Sequence, residues 1–144
     1  MVLPFPGVTL IRPLCFLLMP ALLAAAPTPK NLSPAGTVQR QIELFNAHDL
    51  EGFMALFSED FEVAELPAGV IGPRNKAWFR GLYSERFKSS PDLHASAKAQ
   101  MVSGEFVIQK ERIMGRADQK EAIDVTLIYQ VKAGKIVRVW ELKE

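Results

Sequence analysis

Hydrophobic residues recur along this chain with two different periods, and the switches between them mark out its elements. Val38, Ile42 and Phe45 are spaced i, i+4, i+7; after Asp49, which is placed to cap a new helix, Leu50, Phe53, Met54 and Phe57 follow at i, i+3, i+4, i+7. Two short helices are predicted in succession. Beyond Ser58-Glu59-Asp60 the period becomes two, so Phe61, Val63 and Glu65 fall on one side of a strand and Glu62, Ala64 and Leu66 on the other. Glu65 therefore shares its side with two core-type residues. Ile71-Gly72-Pro73 ends that region, and Trp78, Phe79, Leu82, Tyr83 and Phe87 trace a third helix with a broad apolar stripe, stopped by Ser89-Ser90-Pro91-Asp92.

From Leu93 onward the chain reads as sheet. Leu93 to Ser103 alternates, Gly104-Glu105 turns it, Phe106 to Gly115 returns, Arg116 to Lys120 is a polar turn, Ala122 to Val131 is rich in β-branched residues, and Ala133-Gly134 leads into a last strand from Lys135 to Leu142. The order is helix, helix, strand, helix, then a four-stranded meander. Such an order predicts an α+β domain in which a curved, mainly antiparallel sheet wraps over a long helix.

Composition narrows the function classes. With 144 residues, 49% hydrophobic and 23% charged, the chain suits one compact domain. Its formal net charge is +1 with no basic patch or acidic run, which lacks the electrostatic footprint of a nucleic-acid binder. Residues 1–26 read as a signal peptide, the alternatives being an uncleaved anchor or a mis-set start codon: they hold no acid and one base, Arg12, and carry the apolar run Leu14 to Ala26, with cleavage expected near residues 24–29. That run is short for a membrane span, which needs roughly 20 residues, so no stable span is expected after processing. The processed protein would be secreted or periplasmic, with residues 27–36 as a linker and 37–144 as the domain. Cys15, the one cysteine, lies in the leader, so the mature domain would have neither disulfides nor a cysteine nucleophile.

Asn46-Ala47-His48-Asp49, Phe53 to Phe57, Asp60, Pro91-Asp92-Leu93-His94, Gly104 to Ile108, and Ile128 to Val131 with Gly134-Lys135-Ile136 stand in an order and spacing that together resemble the nuclear transport factor 2 superfamily. The resemblance spans Thr37 to Glu144 and is nearest to SnoaL-like, ketosteroid isomerase-like proteins. It implies a cone-shaped sheet whose open end leads to an apolar pocket, no cofactor, a small apolar ligand, and a homodimer formed through the outer sheet face. In ketosteroid isomerases a carboxylate near the end of the first strand moves the proton, while a first-helix tyrosine and a protonated late-strand aspartic acid stabilise the enolate. Glu65 matches the base. The tyrosine position is Gln41 and the late-strand acid falls on or near Leu127, so two parts of the isomerase pattern are replaced.

The expected catalytic residues are Glu65 and His94, the histidine best placed for acid/base work at the start of a strand. The expected pocket lining is Gln41, Phe45, Phe61, Val63, Trp78, Tyr83, Leu127 and Tyr129. A carboxylate in an apolar pocket has a raised pKa and can serve as a general base. Mid-strand Glu111 and Asp124 are each either solvated, paired with a nearby Lys or Arg, or set in a cavity. Strand alternation turns Asp124 away from the apolar face of Val125, Leu127, Tyr129 and Val131. Two distant histidines and the absence of HExxH or CxxC leave no metal site in view. Two function classes remain. One is an exported small-molecule-binding isomerase, dehydratase or cyclase; the other is a noncatalytic binding or dimerisation module of the same fold, its cavity filled by side chains.

Overall fold

The computed structural model describes residues 32–69 and 74–142. The leader with Cys15, the first half of the linker and the Ile71-Gly72-Pro73 break lie outside them. Helix α1 (Pro34–Asn46) starts where Ser33 Oγ accepts the Gly36 N–H at 3.1 Å and Pro34 occupies the first turn. Asp49 caps α2 (Leu50–Ala55), its carboxylate accepting the Gly52 N–H at 2.9 Å. Strand β1 (Phe57–Leu66), helix α3 (Lys76–Ser89) and strands β2 (His94–Ser103), β3 (Phe106–Met114), β4 (Ile123–Lys132) and β5 (Lys135–Leu142) complete the order.

Phe57 departs from its expected place at the end of the second helix. It opens β1 instead, in register with Ile136, and is 2% exposed. Helical spacing put it in phase with Phe53, but pairing with β5, where the Ile136 N–H bonds the Leu56 carbonyl at 2.8 Å, overrides the local period.

The sheet runs β1-β5-β4-β3-β2, with β1 parallel to β5 and every other pair antiparallel. It is mixed, curved and open. Register shifts at Phe57/Glu62, Ala97/Ala99 and Gln130/Val131 supply local bends, and the concave face closes over α1. Phe53, fully buried, forms the hub of an aromatic core with ring centroids 4.9 Å from Tyr83, 5.1 Å from Phe57, 5.9 Å from Phe79 and Phe87, and 6.2 Å from Phe45. His48, at φ 53°, ends the α1 connection by stacking on Phe87 at 5.0 Å and bonding the Leu93 carbonyl at 3.0 Å through Nε2, which gives it a structural role.

Candidate functional site

A cavity of about 360 Å3 opens between the concave sheet face and the inner sides of α1 and α3. Strand register builds its sheet wall in rows. Glu65, Glu141 and Leu127 lie side by side on β1, β5 and β4, and Val63, Val139 and Tyr129 form the next row. Gln41 and Phe45, one turn apart on α1, face them with Phe79, Leu82, Tyr83 and Arg86 of α3. Trp78, Arg74 and Arg116 form the more exposed part of the lining.

The most unusual group on the wall is Glu111. It is 3% exposed, and its Oε1 accepts the Tyr129 hydroxyl at 2.6 Å and the Gln109 side-chain N–H at 2.9 Å. Gln109 is held in turn by Gln100, whose amide donates to its Oε1 at 2.6 Å. Burial pushes the Glu111 carboxyl above its ordinary value of 4.5, against the pull of the two hydrogen bonds. Tyr129 is raised well above its ordinary value, chiefly by burial and then by Glu111, so the phenol stays a neutral donor.

Glu65 lies in a different environment. Its Oε1 receives Arg74 Nη1 at 2.5 Å, and the same guanidinium lies over the Trp78 ring at 5.5 Å. The sequence suggests a carboxylate alone on an apolar face; the fold instead pairs it with a cation from the segment preceding α3. Arg86 lies 5.5 Å over the Tyr83 ring, and Tyr83 is raised by burial, with Arg86 opposing.

A family profile described as SnoaL-like domain matches residues 38–139, most of the chain. The chain belongs to the SnoaL-like family. Solved structures agree with this SnoaL-like domain in fold. An uncharacterised cystatin-fold protein from Novosphingobium aromaticivorans has 23% identity and a TM-score of 0.69, the match covering 78% of this chain and 100% of that one. IdmH from Streptomyces antibioticus, a candidate polyketide cyclase, has 21% identity and a TM-score of 0.61 over 76% of this chain and 91% of its own. A candidate ketosteroid isomerase from Kribbella flavida has 15% identity and a TM-score of 0.62 over 76% of each chain. A search of curated proteins gives no match.

In this SnoaL-like domain the cavity brings together Gln41, Phe45, Val63, Glu65, Trp78, Tyr83, Leu127 and Tyr129. Phe61 and His94 are elsewhere. Phe61 is fully buried against Phe57 and Phe79, at 4.6 and 5.0 Å, and belongs to the core beneath the cavity. His94 is exposed because strand alternation gives the inward position to Ala95, 2% exposed, whose backbone N–H and carbonyl are held by Asn46 at 2.8 and 2.9 Å. Asp124 points outward and pairs with Arg112 at 3.5 Å. Of the three readings the sequence leaves for Glu111, the structure takes the cavity; Glu141, Arg74 and Arg116 also line it without having been singled out. Among the described residues no cluster of three or more His, Cys, Asp or Glu could hold a metal ion, and no helix is long and apolar enough to cross a membrane.

Proposed function

We propose that this domain binds a small, largely apolar carbonyl compound in its cavity and transforms it by cofactor-free proton transfer, as an isomerase, dehydratase or cyclase. The observation that carries the reading is that two of the three carboxyl groups on the cavity's sheet wall stand in opposite environments: Glu111 buried and biased towards its neutral form, Glu65 beside a guanidinium. Such a division separates an acid from a base. Glu65 removes a proton from the carbon next to the carbonyl while Glu111 donates a hydrogen bond to the oxygen on which charge develops; Glu65 then returns the proton to another carbon or to a leaving hydroxyl. Cavity size is compatible, since a pocket for such a ligand needs roughly 300 Å3 or more. The similarity to a candidate ketosteroid isomerase and a candidate polyketide cyclase supports the reaction class. The leader supports an exported, secreted or periplasmic setting.

Ligand co-purification with mass spectrometry tests this directly. The expected finding is a bound apolar carbonyl compound, whose turnover Glu65→Gln abolishes while the domain stays folded. Turnover unaffected by Glu65→Gln would remove Glu65 as the base. Binding without turnover would instead favour the noncatalytic module, a reading supported by Leu127 and by the engagement of Glu65 with Arg74.

Association through the outer sheet face is also proposed. Ile128 and Trp140 are register partners there, beside Thr126, and Arg138 lies 5.6 Å over the Trp140 ring while bonding Glu62 at 2.6 Å. A dimer is expected by sedimentation at micromolar concentration, weakened by Trp140→Ala. A strictly monomeric profile counts against it.

A further inference from the structure

Gln109 is fully buried in β3, where an apolar residue would pack at lower cost, and both ends of its carboxamide are used. Its Oε1 accepts the Gln100 side-chain N–H at 2.6 Å, and its Nε2 donates to Glu111 Oε1 at 2.9 Å, the same oxygen that receives the Tyr129 hydroxyl at 2.6 Å. Two donors thus converge on one carboxyl oxygen. Oε2 takes no hydrogen bond among the described residues and, unlike the enclosed Gln41 Oε1, is not sealed off, so it is the atom through which Glu111 reaches the cavity it lines. A neutral carboxyl group has one oxygen that accepts and one that carries the proton. The Tyr129 hydroxyl cannot choose between them, because it can donate or accept, whereas the NH2 of Gln109 only donates. Its approach to Oε1 makes that atom the carbonyl oxygen and leaves the proton to Oε2. With both amides turned over the chain would reverse, Oε1 donating to the Gln109 oxygen, and the cavity would meet an acceptor instead of a donor.

We propose that Gln109 is the positioning residue of the cavity acid: steadied by Gln100 on the edge strand, it locks Glu111 with the proton on Oε2, turned towards the cavity. This rests on the proton-transfer reading of the same cavity. A donor held in place before the reaction needs no reorganisation when charge develops on the ligand oxygen, which is where such a group gains its effect. Gln109 also favours the charged form of Glu111 and so offsets part of the rise that burial imposes. Of the groups that face Glu111 from other elements, Tyr129 on β4 and Tyr83 on α3 titrate, and both are phenols raised by burial. Glu141 and Glu65 stand beyond β4, on β5 and β1, and the lining arginines are engaged with Glu65, Asp118 and the Tyr83 ring.

NMR of the ligand-free protein tests the assignment, with side-chain amide protons and the Glu111 carboxyl carbon followed in wild type and in Gln109→Leu. Two results are expected together. The Gln109 Nε2 protons should show Overhauser contacts to the Tyr129 ring, and Glu111 should titrate at higher pH in Gln109→Leu than in wild type, since the carboxylate has lost a donor. Gln109→Met serves if the leucine variant does not fold. Contacts from the Nε2 protons to the Gln100 side chain in place of Tyr129 mean that the chain runs the other way and overturn the proposal. A Glu111 midpoint that falls, or stays where it is while the variant only melts lower at every pH, overturns it too, the second case being that of a glutamine with a merely structural role. Neither measurement involves a ligand, so the assignment can fail while the proposed reaction stands, and loss of that reaction would leave the orientation of Glu111 as measured.

Discussion

Alanine at Gly115 should destabilise the domain by about 4 kcal/mol or more. Gly115 follows β3 at φ +75°, and a Cβ there would lie 1.9 Å from the Asp92 carbonyl oxygen, 2.4 Å from its carbon and 2.9 Å from the Leu93 nitrogen. All three are backbone atoms, so no side-chain rotation relieves the overlap. The chain at the start of β2 would have to move, and it anchors Leu93, 2% exposed, whose carbonyl holds His48. Gly104 in the β2–β3 turn is the internal control: at φ +57° it has nothing within 4 Å of its would-be Cβ, so Gly104→Ala should cost only about 1–2 kcal/mol of backbone strain. Chemical denaturation of the two variants measures the difference. Equal losses would mean that the close approach of Asp92 to Gly115 does not hold in solution.

The element order was legible because hydrophobic period and turn chemistry agree along most of the chain. Asp49 caps the second helix as its position suggests, Gly104 and Gly134 sit at positive φ in the two tight turns, and the four late strands fall close to the expected limits. The parallel pairing of β1 with β5 was not legible, because it joins segments far apart in sequence and leaves no local signal. Phe57 shows the same limit on a smaller scale. Its spacing from Phe53 is helical, and only the distant partner Ile136 makes it a strand residue.

Half of the site was legible for a related reason. Alternation on β1 and β4 is enough to put Val63, Glu65, Leu127 and Tyr129 on the inner face. The same alternation would have excluded His94 once Ala95 was assigned inward, and it carried a usable signal for Glu111. Glu111 is in phase with Val107, Gln109 and Ile113, and β3 turns back against β4 so that Val107 pairs with Tyr129 and Glu111 with Val125. The residues of β4 at those positions belong to its apolar face. A charged side chain facing an apolar row reads as an outward residue in a shifted register until the register itself is known. Arg74 and Arg116 gave no comparable signal, since they lie outside the long strands, before α3 and after Gly115, where no period applies.

Glu111→Gln should match wild type in stability near pH 4 and exceed it increasingly as the pH rises. Burial raises the Glu111 carboxyl above its ordinary value of 4.5. Below that value the folded and unfolded chains both carry the proton and the group adds no pH dependence. Above it the unfolded chain releases the proton while the folded chain retains it, so the folded state binds more protons and wild-type stability falls through the window between 4.5 and the raised folded value. Glutamine does not titrate, and its Oε1 can still accept from Tyr129 and Gln109, so the variant escapes that loss. Glu111→Leu separates the charge from the hydrogen bonds. It strands the Tyr129 hydroxyl and the Gln109 amide, at about 1–3 kcal/mol for each, and should therefore be much less stable than Glu111→Gln at every pH. Thermal melts of the three proteins from pH 4 to 8 read both effects. If the wild-type and glutamine curves run parallel across that range, Glu111 titrates as an ordinary carboxyl and cannot serve as the neutral hydrogen-bond donor of the cavity, whatever the fate of Glu65.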